Sequence, residues 1–485
     1  MLLLNQFKIN NLNRNCNVDL QFSDSKTIFI GENGVGKTTI LSILYYLLKL
    51  DFKELSRFNF ESLELSLEDN RLLSITRNDI IEELSRSGRR NPRLNFELDE
   101  YVNEIKKNEK LLSSLKQSDS NGYSDYRKIN AFLTKEIGLP SVSPRFRDEI
   151  IAELLYQINP PQYKPLLDKI KKINEKFNIL YFPTYRRIEE NLVRLDLPTK
   201  EDRINQKNSG ELIHFGMEDV KERIFNLLNK ISKETNESYN AMTSGLLNTF
   251  AEGELKVSSE EFDKDTIDIA LSRLGNKVTK KSKKKILDKV SSGKLKEDRY
   301  LNYLVSSIID NYKQLEEIDS RINNFTKRVN KYLFNKKFFY DAEKLKLEIK
   351  RTNSNGEIKV HKDFFGEDED EIIDLGNLSS GEKQLVSTFS KIFLEDEKEM
   401  LVLFDEPELS LSVPWQKEFI YDISQADTCK FLLVVTHSPF IYDKLLDYAK
   451  EIDKYMYESG SYYEDARHWK HLQSNEFLFE DEFPF

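Results

Sequence analysis

Apolar and polar positions alternate along Leu2 to Ile9 and again along Val18 to Phe22, the two-residue period of half-buried strands. A third apolar run, Thr27-Ile-Phe-Ile30, stops on Gly31, and from Lys37 the period lengthens. Ile40, Leu41, Ile43, Leu44, Leu47 and Leu48 recur at three- and four-residue steps and predict a helix. Residues 60–78 return to alternation on either side of a polar Asp69-Asn70 and predict a hairpin. From about Glu97 to Lys176 the pattern is amphipathic helix, interrupted by polar residues 118–124 and by Pro140, Pro144, Pro160 and Pro161. Asn178 to Arg186 reads as a strand.

Helical spacing dominates again from Met217 to about Lys337. Leu301, Leu304, Ile308, Tyr312, Leu315, Ile318, Ile322, Phe325 and Val329 form one apolar stripe, which predicts a single long helix or an antiparallel coiled arm. Phe338 to Val360 alternates in the strand period with a turn at Asn355-Gly356, and the last 110 or so residues alternate strand and helix. The expected fold class is α/β, a mixed sheet with flanking helices interrupted by a large, partly coiled-coil-like helical insertion. The boundaries that follow are 1–95, 96–177 (helical), 178–190 (a strand), 191–337 (helical), 338–445 and 446–485 (a tail).

A chain of 485 residues is long enough for several domains' worth of core. Its 73 Lys and Arg against 83 Asp and Glu leave a net charge of -10, which argues against a general coat for nucleic acid or anionic membrane. Charged residues at 32% suit long solvated helices, while 31 Phe and 22 Tyr exclude a disordered chain. Cys16 and Cys429 stand far apart, so neither a disulfide framework nor a zinc cluster is legible. No stretch reaches the length of a membrane span and no leader precedes the first strand, so the expected location is cytoplasmic, with no membrane partner.

Four short segments carry chemistry. Gly31-Glu-Asn33-Gly34-Val-Gly36-Lys37-Thr38 fits G-x-x-x-x-G-K-[ST] between a predicted strand and helix. Glycines there let backbone N–H groups turn toward phosphates, Lys37 supplies a point charge, and Thr38, followed by Thr39, offers a hydroxyl to Mg²⁺. Leu401-Val-Leu-Phe404 is a buried-strand run that delivers Asp405 and Glu406 to the carboxyl edge of a sheet, one suited to Mg²⁺ and the other to orienting or deprotonating water. Leu378-Ser379-Ser380-Gly381-Glu382 opens a helix with Ser379 as its N-cap. Phe431 to Val435 is another buried strand, and His437 lies just past its end.

This set, in this order, resembles the ABC ATPase superfamily: Walker A at Gly31 to Thr38, a signature at Leu378 to Glu382, Walker B ending in Asp405-Glu406, and a switch histidine at His437. Ser380 and Glu382 in the signature, and DEPELSLS with Ser410 to Ser412 as the D-loop, look like the SMC, Rad50 and OLD side of the superfamily, the AAA15/AAA21 group. Ser412 stands where an Asp or His is more usual. The resemblance covers residues 1–80 and 340–445. It implies an ABC-type head that binds ATP and Mg²⁺ through Gly31, Asn33, Gly34, Gly36, Lys37, Thr38, Thr39, Ser379 and Gly381. Asp405 and Thr38 would hold the metal, and Glu406, His437 and Lys37 would carry hydrolysis. No Q-loop glutamine can be placed, and Arg186 or Arg187 is an alternative contact. In this superfamily the signature serine of one subunit reaches the γ-phosphate held by another. A homodimer, or a higher homo-oligomer, with ATP sandwiched between heads is therefore implied.

More than 300 residues separate Walker A from the signature, unlike a compact transporter subunit, and fewer than 50 follow His437, too few for a Toprim domain. The chain is similar in these respects to the ATPase subunits of bacterial anti-phage systems, PARIS first and Septu next. That implies a sensor or scaffold controlling a separate nuclease, of Toprim or HNH type, and answering to a phage trigger protein. The alternative is a DNA-clamping ATPase of repair or chromosome maintenance. It draws on Lys277 to Arg299, with ten Lys or Arg against three acids, a run that could equally meet DNA or an acidic protein. The tail, Ser474 to Phe485, interleaves acids with four phenylalanines and suits docking or self-packing.

Overall fold

The computed structural model describes residues 3–67, 71–89, 102, 130–131, 144–158, 160–184, 217–252, 264–273, 278–362, 368–395 and 398–458. The Asp69-Asn70 turn, most of the helical pattern between 97 and 143, Arg186, Arg187, Lys277 and the acidic aromatic tail lie outside them. The protein is a mixed α/β chain whose compact units are Met1–Ile179 with Tyr448–Phe485, and Leu180–Asp447.

In the first unit, β1 (Leu4–Leu12), β2 (Cys16–Gln21), β4 (Ser62–Leu67) and β5 (Leu72–Thr76) are antiparallel, with β1 central. The register stacks like with like: Phe7 faces Leu20 on one side and Leu65 on the other, and Ile9 faces Val18 and Leu63. Lys8 and Asp19, also opposed, form an ion pair at 3.3 Å. A slip of one residue would bury that pair and expose Phe7 and Ile9, which are fully buried, so the pattern itself fixes the pairing. β3 (Lys26–Ile30) leads into α1 (Lys37–Lys49), whose Leu41, Ile43, Leu44, Leu47 and Leu48 are all fully buried. A helix apolar on so much of its circumference belongs inside a core. A short helix α2 (Phe52–Leu55), then α3 (Arg77–Arg89), α4 (Pro144–Ile158) and α5 (Lys164–Lys176) follow, and β6 (Phe177–Phe182) spans the boundary of the units.

The second unit continues with α6 (Met217–Glu252), α7 (Lys264–Ser272), α8 (Lys280–Ser291) and α9 (Arg299–Val329). The long apolar stripe falls on α9 alone, capped by Asp298, which accepts the Leu301 N–H at 3.2 Å. Ile308 of that stripe, with Val305 and Ile309 beside it, joins Ile267, Ala270, Leu271 and Leu295 in a small core of their own. The strands β7 (Lys336–Asp341) and β8 (Lys346–Arg351) close earlier than the glycine turn predicts. Asp341 Oδ1 accepts the N–H of Glu343 at 3.0 Å and of Lys344 at 2.9 Å, an Asx turn that needs no glycine. Asn355-Gly356, with Gly356 at φ 82°, makes a second reversal before β9 (Val360–Lys362), β10 (Asp368–Asp370) and β11 (Ile372–Ile373).

Then come α10 (Ser380–Phe393), β12 (Glu399–Asp405), α11 (Val413–Ser424) and β13 (Cys429–Thr436). β12 and β13 are parallel neighbours, buried from Met400 and from Phe431 to their carboxyl ends as parallel strands between helices are. Phe404 stacks on Phe182 at 4.4 Å and meets Phe419 edge-on, and Phe419 in turn meets Phe389. Asp422 of α11 is 1% exposed. It accepts Arg328 Nη1 at 3.2 Å, Lys331 Nζ at 2.7 Å and the Tyr332 hydroxyl at 2.8 Å, which fastens the end of α9 to α11. The last described residues belong to the first unit. There β14 (Ala449–Glu451) runs parallel to β3 and β15 (Met456–Glu458) extends the first sheet beyond β2.

Candidate functional site

In the first unit the chain leaves β3 at Gly31 and enters α1 at Lys37. Gly34 and Gly36 sit at φ 92° and 100°, where a side chain would be strained, and nothing lies within 4 Å of where their Cβ atoms would be. Glycine is used at these points because the backbone turns left-handed there and leaves an open cradle. Gly36 is the N-cap of α1 and no side chain caps the helix, so the positive end of its dipole faces the loop. Lys37 is 4% exposed, and its ammonium donates to Gly31 O at 2.7 Å and Glu32 O at 2.8 Å, across the mouth of the loop. Asn33 is exposed, while Thr38 and Thr39 are half-buried on the first turn. The loop is closed from behind by Ile452, whose Cγ2 lies 2.6 Å from where a Gly31 Cβ would be. A cradle of this shape, with a lysine beside it, fits a polyphosphate.

In the second unit three carboxylates emerge within four residues at the end of β12. Asp405 is 2% exposed, and its Oδ2 accepts the Thr184 hydroxyl at 2.7 Å. Glu406 has a left-handed backbone, φ 48°, and its N–H donates to Val435 O at 2.9 Å. Glu408 is 5% exposed and turns toward the end of β13. Its Oε1 accepts the Thr436 hydroxyl at 2.7 Å and the backbone N–H groups of His437 and Ser438 at 3.0 and 3.2 Å. His437 Nδ1 lies 3.0 Å from that oxygen and 3.7 Å from Glu406 Oε1. Among the described residues no group of three or more His, Cys, Asp or Glu could hold a metal ion. Asp405 presents a buried carboxylate, one oxygen donor of the kind that Mg²⁺ takes beside water.

The signature segment lies in the same unit. Ser379 caps α10 in a reciprocal box with Glu382, whose Oε2 takes the Ser379 N–H at 2.9 Å and hydroxyl at 3.0 Å. Lys336 Nζ reaches the same oxygen at 2.9 Å. Burial pushes the Glu382 carboxyl up, yet these donors outweigh it and hold it below the usual glutamate range. Gly381 is packed so closely on the Ser410 carbonyl oxygen that a Cβ would collide with it, and the Trp415 ring lies 3.3 Å from the same point. Ser379 itself is exposed.

Each unit thus assembles its own predicted residues: Gly31 to Thr39 in the first, and Ser379, Gly381, Asp405, Glu406 and His437 in the second. Sequence reading missed Glu408, Thr184, Lys336 and Ile452. Glu408 lies within DEPELSLS and Thr184 ends the YFPT segment of residues 181–184, and neither has a spacing signal of its own.

No helix among the described residues is long and apolar enough to cross a membrane. No curated protein matches the chain. Among solved structures, the Smc head domain with an extended coiled coil bound to the C-terminal domain of ScpA, from Pyrococcus furiosus, is similar at 13% identity. The match covers 98% of this chain and 100% of that one, with a TM-score of 0.33. Residues 3–442, from the first strand past the phosphate loop, the signature and His437, match the AAA ATPase domain family AAA_15, and the chain belongs to that family.

Proposed function

We propose that this protein is an SMC/Rad50-like ABC-type ATPase that binds and hydrolyses Mg-ATP, and that its nucleotide state controls a separate effector nuclease in bacterial anti-phage defence. The observation that carries the ATPase reading is the open, left-handed glycine loop between β3 and an uncapped α1, with Lys37 lying across it. Lys37 exchanges its two carbonyl partners for phosphate oxygens, and the first-turn N–H groups of α1 hold the same anion. Thr38 and Asp405 would hold Mg²⁺, which when bound would supply positive charge for the phosphates. Glu406 aligns the attacking water and takes its proton, and His437 binds the γ-phosphate.

Ser379, exposed at the start of α10, completes the site of a second copy, so ATP joins heads and hydrolysis parts them. The resemblance of DEPELSLSVPWQ, with the helical insertion, to anti-phage ATPases supports the effector part of the reading. A DNA clamp is the second reading, and α8 favours it. Lys280, Lys281, Lys284 and Lys285 share one exposed face, none with an ion-pair partner among the described residues, near a helix N-terminus that disfavours positive charge.

The test is to purify the Glu406→Gln protein with Mg-ATP and the products of adjoining genes, and to determine the mass of the complex. The variant should bind ATP and stall hydrolysis, whereas Lys37→Ala should not bind. An assembly containing a protein with nuclease motifs supports the effector reading. A bare dimer that retains DNA in a salt-sensitive manner replaces it with the clamp, and hydrolysis by Glu406→Gln at the wild-type rate refutes the assignment of the base.

A further inference from the structure

The carboxylate of Glu408 is surplus to the chemistry above, and its surroundings are unusual. One oxygen of a side chain only 4% exposed takes a hydroxyl and two backbone N–H groups, with a histidine nitrogen at 3.0 Å, while the other oxygen is buried without a hydrogen-bond partner. No lysine or arginine pairs with Glu408 among the described residues, so its ionisable partner is His437. A buried charge is costly unless something answers it. Here the answer is the end of β13: Thr436, His437 and Ser438 all turn their donors onto one atom. Gln416 fixes the far side of the same turn, accepting the Ser438 hydroxyl at 2.7 Å.

The geometry also restricts the ring. An ionised carboxylate is an acceptor only, and neutral imidazole carries a hydrogen on one nitrogen and a lone pair on the other. Two lone pairs 3.0 Å apart repel, so Nδ1 must carry a hydrogen and Nε2 is the outward atom. Ring orientation and tautomer of a functional histidine are commonly set by the bond its other nitrogen makes.

We propose that Glu408 is the positioning residue of His437: it fixes the backbone after β13, places the ring hydrogen on Nδ1, and so presents Nε2 to the nucleotide. This rests on the ATPase reading for its consequence, though not for the contact itself. Glu406 stands 3.7 Å from the same Nδ1. A ring released from Glu408 would be free to turn its hydrogen to Glu406 and tie up the carboxylate that aligns water.

The full chain has five histidines, so long-range proton–nitrogen spectra of protein labelled with ¹⁵N-histidine resolve the ring states, with His437→Ala assigning the signal. Wild type should show a hydrogen on Nδ1 of His437, and Glu408→Gln should lose that pattern. In steady-state ATP hydrolysis, Glu408→Gln should lower kcat about 10- to 100-fold with KM within about twofold, and add nothing to His437→Ala. A wild-type ring with hydrogen on Nε2 alone overturns the proposal, as do losses from the two substitutions that multiply. The wild-type spectrum needs no variant to fold. If the wild-type protein does not hydrolyse ATP, the ATPase reading falls, and the spectrum still upholds or overturns the Glu408 contact.

Discussion

Gly31→Ala is the perturbation whose cost the structure sets most directly. A Cβ on Gly31 would lie 2.6 Å from Ile452 Cγ2, whereas carbon atoms in contact sit about 3.5–4.0 Å apart, so roughly 1 Å of overlap must be relieved. Ile452 is fully buried and follows β14, which is itself hydrogen-bonded to β3, so it has no space to retreat into. The backbone of Gly31 is not left-handed, and the burden is therefore crowding alone. Forcing an extra methyl into a packed site costs about 1–3 kcal/mol. Where that cost falls on the loop, ATP binding weakens by about 5- to 150-fold, since 1.4 kcal/mol is a factor of ten. A titration with a fluorescent ATP analogue, alongside a thermal melt, reads both halves of the effect.

The cause is separable from a general defect. Ile452→Leu removes the Cγ2 methyl at nearly constant volume, a change that costs less than about 1.5 kcal/mol. The double variant Gly31→Ala, Ile452→Leu should bind within a few-fold of Ile452→Leu alone. Wild-type affinity in Gly31→Ala would refute the reasoning. So would a double variant as weak as the single one, because the obstruction would then not be Ile452.

Two further outcomes follow from charge placement. Asp422→Ala strips the acceptor from Arg328, Lys331 and the buried Tyr332 hydroxyl, which burial and then Asp422 keep protonated by pushing its pKa well up. With Lys331 half in solvent, the loss should be about 2–4 kcal/mol, seen as a melting point lowered by roughly 2–7 °C. Glu382 has a folded pKa below its ordinary 4.5, so its contribution is present above that value and lost as pH falls through the depressed one. The stability difference between wild type and Glu382→Gln should hold steady from pH 7 down to about 5 and shrink in more acidic buffer. A difference that grows on acidification would reverse the sign of the argument.

What was legible along the chain is what short-range geometry compels. Glycines at fixed offsets before Lys37 are needed because the backbone turns left-handed at Gly34 and Gly36, and Ser379 with Glu382 three residues later spells a capping box. The alternation in β1, β2 and β4 was readable because one face is buried. What was not legible depends on partners far away. Asp405 meets Thr184 across 221 positions, Glu408 meets Thr436 across 28, and Asp422 collects donors 90 or more residues upstream. The glycine turn at Asn355-Gly356 drew attention from Asp341, whose side chain mimics a turn with no special residue type to announce it.

The three acids of DEPE show why such a motif underdetermines its own chemistry. Asp405, Glu406 and Glu408 are interchangeable as letters, yet their backbone conformations and neighbours send them to different tasks. Asp405 ends the strand and stays in plane with it, buried against the Thr184 hydroxyl. Glu406 breaks the strand at φ 48°, a conformation that costs a side-chain-bearing residue about 1–2 kcal/mol and that glycine would adopt freely. That cost is met by the bond from its N–H to Val435 O, which pins the break to the neighbouring strand. Pro407 cannot donate, so the chain leaves the sheet there. Glu408 then arrives on the far side of the turn, facing β13. The strain at Glu406 is thus the hinge that parts the carboxylates: without it, Glu408 would not reach Thr436, His437 and Ser438.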